Sequence, residues 1–177
     1  MRFAGRARKG SSMLEFTFVA IPVMFILVGI FELSRAMWVY NTISNGVKEG
    51  TRFAIVHGNN CSYPPNNCKV TIGQICGLMQ YQMAGLDPEL VTVTLQRQLD
   101  GSPFNFTTLT TCLASSQVFP SQVSAAAPNA IGSQGQWLQI RASYRFDSAL
   151  AFYWTGQRGF TFGRFNLGAV SRERIQY

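Results

Sequence analysis

Sixteen consecutive residues, Phe16 to Phe31, carry no charge and are almost all apolar, and this stretch constrains the rest of the chain. A helix that is apolar on every side has no face to offer water, so it must lie in a protein core or in lipid. As a helix the stretch would be about 24 Å long, most of a hydrocarbon layer of about 30 Å. Flanking residues extend it to a membrane segment of about 14–36. Arg2, Arg6, Arg8 and Lys9 precede it, and basic residues are retained on the cytoplasmic side. The remainder of the chain is therefore expected on the far side. Glu15 stands at the mouth of the apolar run, where an ionisable group is costly without a partner, so it is a candidate functional residue.

Helical patterning does not stop at the membrane edge. No cluster of turn formers interrupts the chain from Leu14 to about Val56. That length is a rod of roughly 60 Å, so its second half must leave the membrane. Pro22 removes one helix hydrogen bond and crowds the preceding turn, which predicts a kink or local melting. The freed Phe18 carbonyl would then be met by Thr17 or a neighbouring chain. Further on, Thr42, Gly46, Gly50 and Ala54 recur at i,i+4. A glycine in a helix interior costs about 1 kcal/mol relative to alanine, so two on one face mark a close approach. Either the chain's own globular domain or another subunit's helix would supply it. Glu32 with Arg35, and Glu49 with Arg52, are spaced for pairing on the helix surface.

Two stretches of this helix resemble a known family. Gly10-Ser11-Ser12-Met13-Leu14-Glu15, with basic residues before it and an apolar helix after it, resembles a type IV prepilin processing site. Glu15-Phe16-Thr17-Phe18-Val19-Ala20-Ile21-Pro22 and Gly46-Val47-Lys48-Glu49-Gly50-Thr51-Arg52-Phe53-Ala54 resemble the TadE family of the Tad (Flp) pilus system. Where that family commonly has Tyr after the glutamate, this chain has Phe16. The resemblance implies cleavage by prepilin peptidase between Gly10 and Ser11, which would leave Glu15 as the fifth mature residue. It also implies a minor pilin or pseudopilin, a structural or assembly component of a Tad-type pilus. Its partners would be the membrane, the peptidase, other pilins and Tad assembly proteins, with Glu15 and Phe16 serving assembly and register. The expected location is a bacterial inner membrane, single-pass, with the N-terminus cytoplasmic and the C-terminal domain periplasmic or carried into the extracellular pilus.

Other readings of the N-terminus compete. Ser34-Arg35-Ala36 offers a small-x-small cut for a signal peptide, and the apolar run would also serve an uncleaved anchor. Neither gives Glu15 a purpose. A secretion-system pseudopilin shares the anchor logic, and a membrane-anchored extracytoplasmic binding module needs no cleavage at Gly10. The chain thus divides into a basic leader, 1–10, a long helix, 11–57, and an α+β domain, 58–177.

The formal charge of +7 invites a nucleic-acid reading. The four basic residues of the leader account for four of those seven, leaving +3, so no nucleic-acid partner is expected. Four cysteines, Cys61, Cys68, Cys76 and Cys112, follow the helix on the oxidising side and read as up to two disulfides with three possible connectivities. Their spacing lacks the close pairs of a structural zinc site and His57 is the single histidine, so no metal is expected.

Beyond the long helix, His57-Gly58-Asn59-Asn60 supplies a stop, and Cys61 to Cys68 forms a turn-rich loop. Ile72, Ile75, Leu78, Met79 and Met83 share a face, which predicts a second helix from Thr71 to about Ala84, stopped by Gly85 and packed on the sheet that follows. Val91 to Gln96 alternates as a half-buried strand, as does Trp137 to Phe146, with Leu138, Ile140, Ala142, Tyr144 and Phe146 inward. A last strand is expected over Leu167 to Ile175, completing a small antiparallel sheet and a pilin-like order of elements. Residues 104 to about 135 show no sustained periodicity and read as a long surface excursion tied down near Cys112. Phe152-Tyr153-Trp154 and the phenylalanines to Phe165 read either as core or as a contact surface.

Chemistry for catalysis is sparse. No nucleophile motif, phosphate-binding glycine loop or paired-carboxylate cluster stands out, and His57 has no evident nucleophile motif around it, so neither enzyme activity, a cofactor nor a small-molecule substrate is expected. Arg141, Arg145, Arg158, Arg164, Arg172 and Arg174 read as a solvated sheet face.

Overall fold

The computed structural model describes residues 11–58, 70–97, 104–119, 135–148 and 164–176. The chain forms two compact units, Met1–Ala36 and Met37–Tyr177. The fold is α+β. Helix α1, Ser11–Ile55, supplies all that is described of the first unit and continues into the second.

Within the first unit α1 runs through Pro22 without a break, so of the expected kink or local melting it is the melting that does not occur. Proline takes away one donor, but the neighbouring i→i−4 bonds suffice to hold the turn. The Thr17 hydroxyl does not serve the Phe18 carbonyl either, since it donates to Met13 O at 2.8 Å.

In the second unit, α1 buries Val39, Ile43, Val47, Ala54 and Ile55 on one stripe. Its C-terminus is capped by the chain's other end, Gln176 N donating to Ile55 O at 3.1 Å. That bond meets one of the carbonyls a helix end leaves orphaned.

A two-residue strand β1, Val70–Thr71, leads into α2, Ile72–Gln82. Thr71 and Gln74 form a reciprocal capping box, worth about 1 kcal/mol, which fixes where α2 begins. Its end comes at Gln82 with Met83 as cap, short of the expected Ala84, and Gly85 follows at φ +89°. The buried side of α2, Ile72, Ile75, Cys76 and Met79 with the cap residue Met83, reaches α1 through the methionines and the short helix α3, Leu109–Leu113, through a disulfide.

The main sheet has the order β3-β2-β5-β6, all antiparallel. Its strands are β2, Val91–Arg97, β3, Phe104–Phe106, β5, Trp137–Asp147, and β6, Arg164–Arg174. Register places Val91, Val93 and Leu95 opposite Tyr144, Ala142 and Ile140, so one face collects the buried side chains. Each large apolar group buried there contributes about 1.5–3 kcal/mol.

The stretch expected as a surface excursion is corrected over its first half. Residues 104–119 hold β3, the short helix α3, Leu109–Leu113, and β4, Val118–Phe119, which pairs with β1. Leu109, Cys112 and Phe119 are buried. Elements of three, five and two residues are too short to print a period on the sequence. Cys61, Cys68 and the aromatic stretch 152–160 lie outside the described residues.

Candidate assembly helix

Gly10 lies outside the described residues, and Ser11 begins α1. Glu15 sits just past the first turn and is exposed, beside Phe16 at 72% exposure. From Met13 to Leu33 every large apolar side chain but the half-buried Val28 is exposed, by between 47% at Val23 and 76% at Met13, and successive members such as Met13, Leu14, Phe16 and Phe18 point to different sides of the helix. This is one helix long and apolar enough to cross a membrane. Removing that sheath from water would release on the order of tens of kcal/mol.

Glu32 departs from the expected surface pair. It is only 7% exposed, its Oε1 lies 3.4 Å from Arg35 Nη1, and its Oε2 has no hydrogen-bond partner among the described residues. No sequence signal marks that burial, because i,i+3 spacing from Arg35 is the same for an exposed pair. Glu49 and Arg52, by contrast, are a solvent-exposed pair at 3.9 Å.

The small-residue stripe lies in the second unit. A Cβ on Gly46 would stand 2.6 Å from Met83 Cγ and Cε and 3.2 Å from Met79 O. One on Gly50 would stand 2.5 Å from Met79 Cγ and 2.9 Å from its Sδ. Ala54 is fully buried, while Thr42 is half-buried and turns its hydroxyl back to Trp38 O. Here the close neighbour of both glycines is α2 of the same chain. Met79 and Met83, unbranched and adaptable, fill the space that the missing side chains leave.

Cys76 and Cys112 form a disulfide between α2 and α3, closing a sequence separation of 36. Gly73, unremarked in the sequence, packs just as tightly: a Cβ there would lie 2.6 Å from Leu113 O and 2.7 Å from Ser115 O. His57 Nδ1 donates to Phe53 O at 2.7 Å with its ring against Phe53, so the imidazole serves the end of α1. Among the described residues no three His, Cys, Asp or Glu groups converge as a metal site would need. What α1 offers is a surface for lipid or other helices.

Comparison with known proteins bears on this same helix. Residues 10–52 match the model of the family described as TadE-like protein. No curated protein matches the chain, and no solved structure does.

Proposed function

Taking the N-terminal helix as that of a TadE-like protein, we propose that this chain is a minor pilin or pseudopilin serving as a structural and assembly component of a Tad-type pilus. The role is structural rather than catalytic. Prepilin peptidase cuts between Gly10 and Ser11, and the chain waits in the inner membrane with its second unit in the periplasm before joining or priming a filament. The observation that carries the reading is the exposed apolar sheath from Met13 to Leu33 with Glu15 at its mouth. An apolar surface on all sides fits both stages, lipid before assembly and neighbouring helices after it.

Glu15 then has a physical task. A carboxylate in apolar surroundings is expensive, and the new amine of Ser11, on the same or an adjacent subunit, relieves it. Such a pair fixes axial register between subunits.

Intact mass and N-terminal sequencing of the membrane-extracted protein, from cells with and without the peptidase, test the pathway. A peptidase-dependent start at Ser11 is expected. A start at Met1 in both strains would refute processing and leave a membrane-anchored binding module, while a start at Met37 would mean an ordinary secreted domain. In the same cells Glu15→Ala is expected to leave cleavage intact and to impair pilus formation, and normal piliation in that variant would overturn the register role.

A further inference from the structure

The sheet face opposite the buried side chains carries five exposed arginines, Arg141 and Arg145 on β5 and Arg164, Arg172 and Arg174 on β6, with two carboxylates among the described residues, Asp147 and, in a groove beside Arg145, Glu89. From Met37 to Tyr177 the chain has ten basic and six acidic residues, a net +4. Five of the ten basic residues of the second unit therefore share one face. Asp147 neutralises only one end of it, lying 3.6 Å from Arg145 Nε and 3.0 Å from Arg164 Nε.

At the other end Trp137 organises the cations. The guanidinium carbons of Arg172 and Arg174 lie 4.8 and 4.7 Å from its ring centroid. Arg141, paired in register with Val170, is the diagonal neighbour of Arg172. Like charges at such spacing repel, and cation–π contacts of about 0.5–1 kcal/mol hold two of them in place without neutralising them.

We infer that this face docks an acidic surface of a different protein. Charge complementarity names the chemistry, because preorganised guanidiniums donate two parallel N–H bonds to a carboxylate. The shape fits a protein surface: two eleven-residue strands, with the shorter β2 and β3 beyond β5, make a broad footprint on the order of 500 Å². That is comparable with one side of an ordinary interface, about 800 Å² of accessible surface. A single-stranded nucleic acid fits less well, since its sequence-tolerant affinity comes from bases stacking on free aromatic rings, and two guanidiniums already lie against the Trp137 ring. A second copy of this chain fits less well: among the described residues of the second unit Glu49 pairs with Arg52 and Glu173 stands between Arg172 and Arg174, which leaves Asp87 and Glu89, two carboxylates against five arginines.

The test uses the full chain in detergent micelles, at about 0.15 M salt so that diffuse attraction is screened. Its probes are a fluorescent peptide of alternating Asp and Glu and an oligothymidylate of equal charge. The peptide is expected to bind, to bind more tightly than the oligonucleotide, and to lose at least about tenfold in affinity in the R172Q/R174Q double variant. The off-face K48Q/R52Q variant should keep it, and unchanged urea midpoints in both variants establish that the fold is intact. Equal loss in the two variants, absence of peptide binding, or tighter binding of the oligonucleotide with the same dependence on Arg172 and Arg174 would each overturn the inference.

Discussion

Replacing Gly50 with alanine pits two effects of similar size against each other, and the structure says which should win. Alanine restores about 1 kcal/mol of helix propensity in the middle of α1. Its methyl group, however, would sit 2.5 Å from Met79 Cγ and 2.9 Å from Met79 Sδ, well inside contact distance. Met79 is fully buried, with Ile75 and Cys76 of α2 around it also at 0% exposure, so its side chain has little room to swing aside. Overpacking of this kind costs about 1–3 kcal/mol, which leaves Gly50→Ala destabilising by roughly 0–2 kcal/mol. The size alone would not discriminate, but the sign in a second background does. Met79→Ala removes both obstructing atoms, itself costing about 2–5 kcal/mol, and in that background Gly50→Ala should stabilise by up to about 1 kcal/mol. The coupling between the sites is then about 1–3 kcal/mol. Urea unfolding of the full chain in micelles, followed by tryptophan fluorescence, measures all four corners of the cycle. Gly29→Ala is the control, since nothing lies within 4 Å of a Cβ there. If Gly50→Ala is equally destabilising with and without Met79, α2 is not what the glycine accommodates, and another subunit's helix becomes the better explanation.

Two further substitutions probe the junction of α2 and α3. Gly73→Ala should destabilise by about 2 kcal/mol or more by the same urea assay, because the new methyl meets the carbonyls of Leu113 and Ser115 rather than a side chain that can move. Its neighbour provides the contrast: at Gly77 the nearest atom is Leu113 Cδ2 at 3.9 Å, and alanine there should be neutral or stabilising. Cys76→Ser with Cys112→Ser should cost about 3–4 kcal/mol, from the loop entropy that a separation of 36 residues returns to the unfolded chain. A urea midpoint unchanged on loss of both cysteines would show that α3 is held by its other contacts alone.

The elements that could be read from the sequence are those in which one residue type repeats long enough to set a period. Trp137 to Phe146 alternates over ten residues, and β5 spans Trp137–Asp147 with the expected Leu138, Ile140, Ala142 and Phe146 buried. The long helix is legible for another reason, the lack of any turn-forming cluster from Leu14 to about Val56, and it ends at Ile55. Residues 104–119 were not, because β3, α3 and β4 are each shorter than one period's worth of evidence. Their signal is local and chemical instead: Thr108 and Thr111 close a capping box that starts α3, with threonine standing in for the usual Glu or Gln at the third position. Gly73 was missed for a related reason. A single glycine at the start of a helix has no pattern, and only its proximity to two carbonyls gives it meaning.

Glycine in α1 illustrates why spacing finds a close approach but cannot name what approaches. Gly46 and Gly50 print the same i,i+4 signature whether the neighbour is α2 or a foreign helix, and only the folded chain distinguishes Met79 and Met83 from a partner. The apolar half of the same helix poses the opposite problem. There the sequence is apolar on every side, so no stripe singles out an inward face, and residues such as Phe18 at 73% and Phe31 at 69% exposure remain uncovered by the chain itself. One helix therefore obeys two rules along its length. The stretch from Val39 to Ile55 is satisfied within the chain, and its substitutions should register in stability. The apolar side chains from Met13 to Leu33 are largely uncovered by the chain itself, so under the proposed function Glu15→Ala should register in assembly while leaving the unfolding of the second unit unchanged. A variant set that failed to separate in this way, with Glu15→Ala shifting the urea midpoint as Gly73→Ala does, would contradict that division of labour.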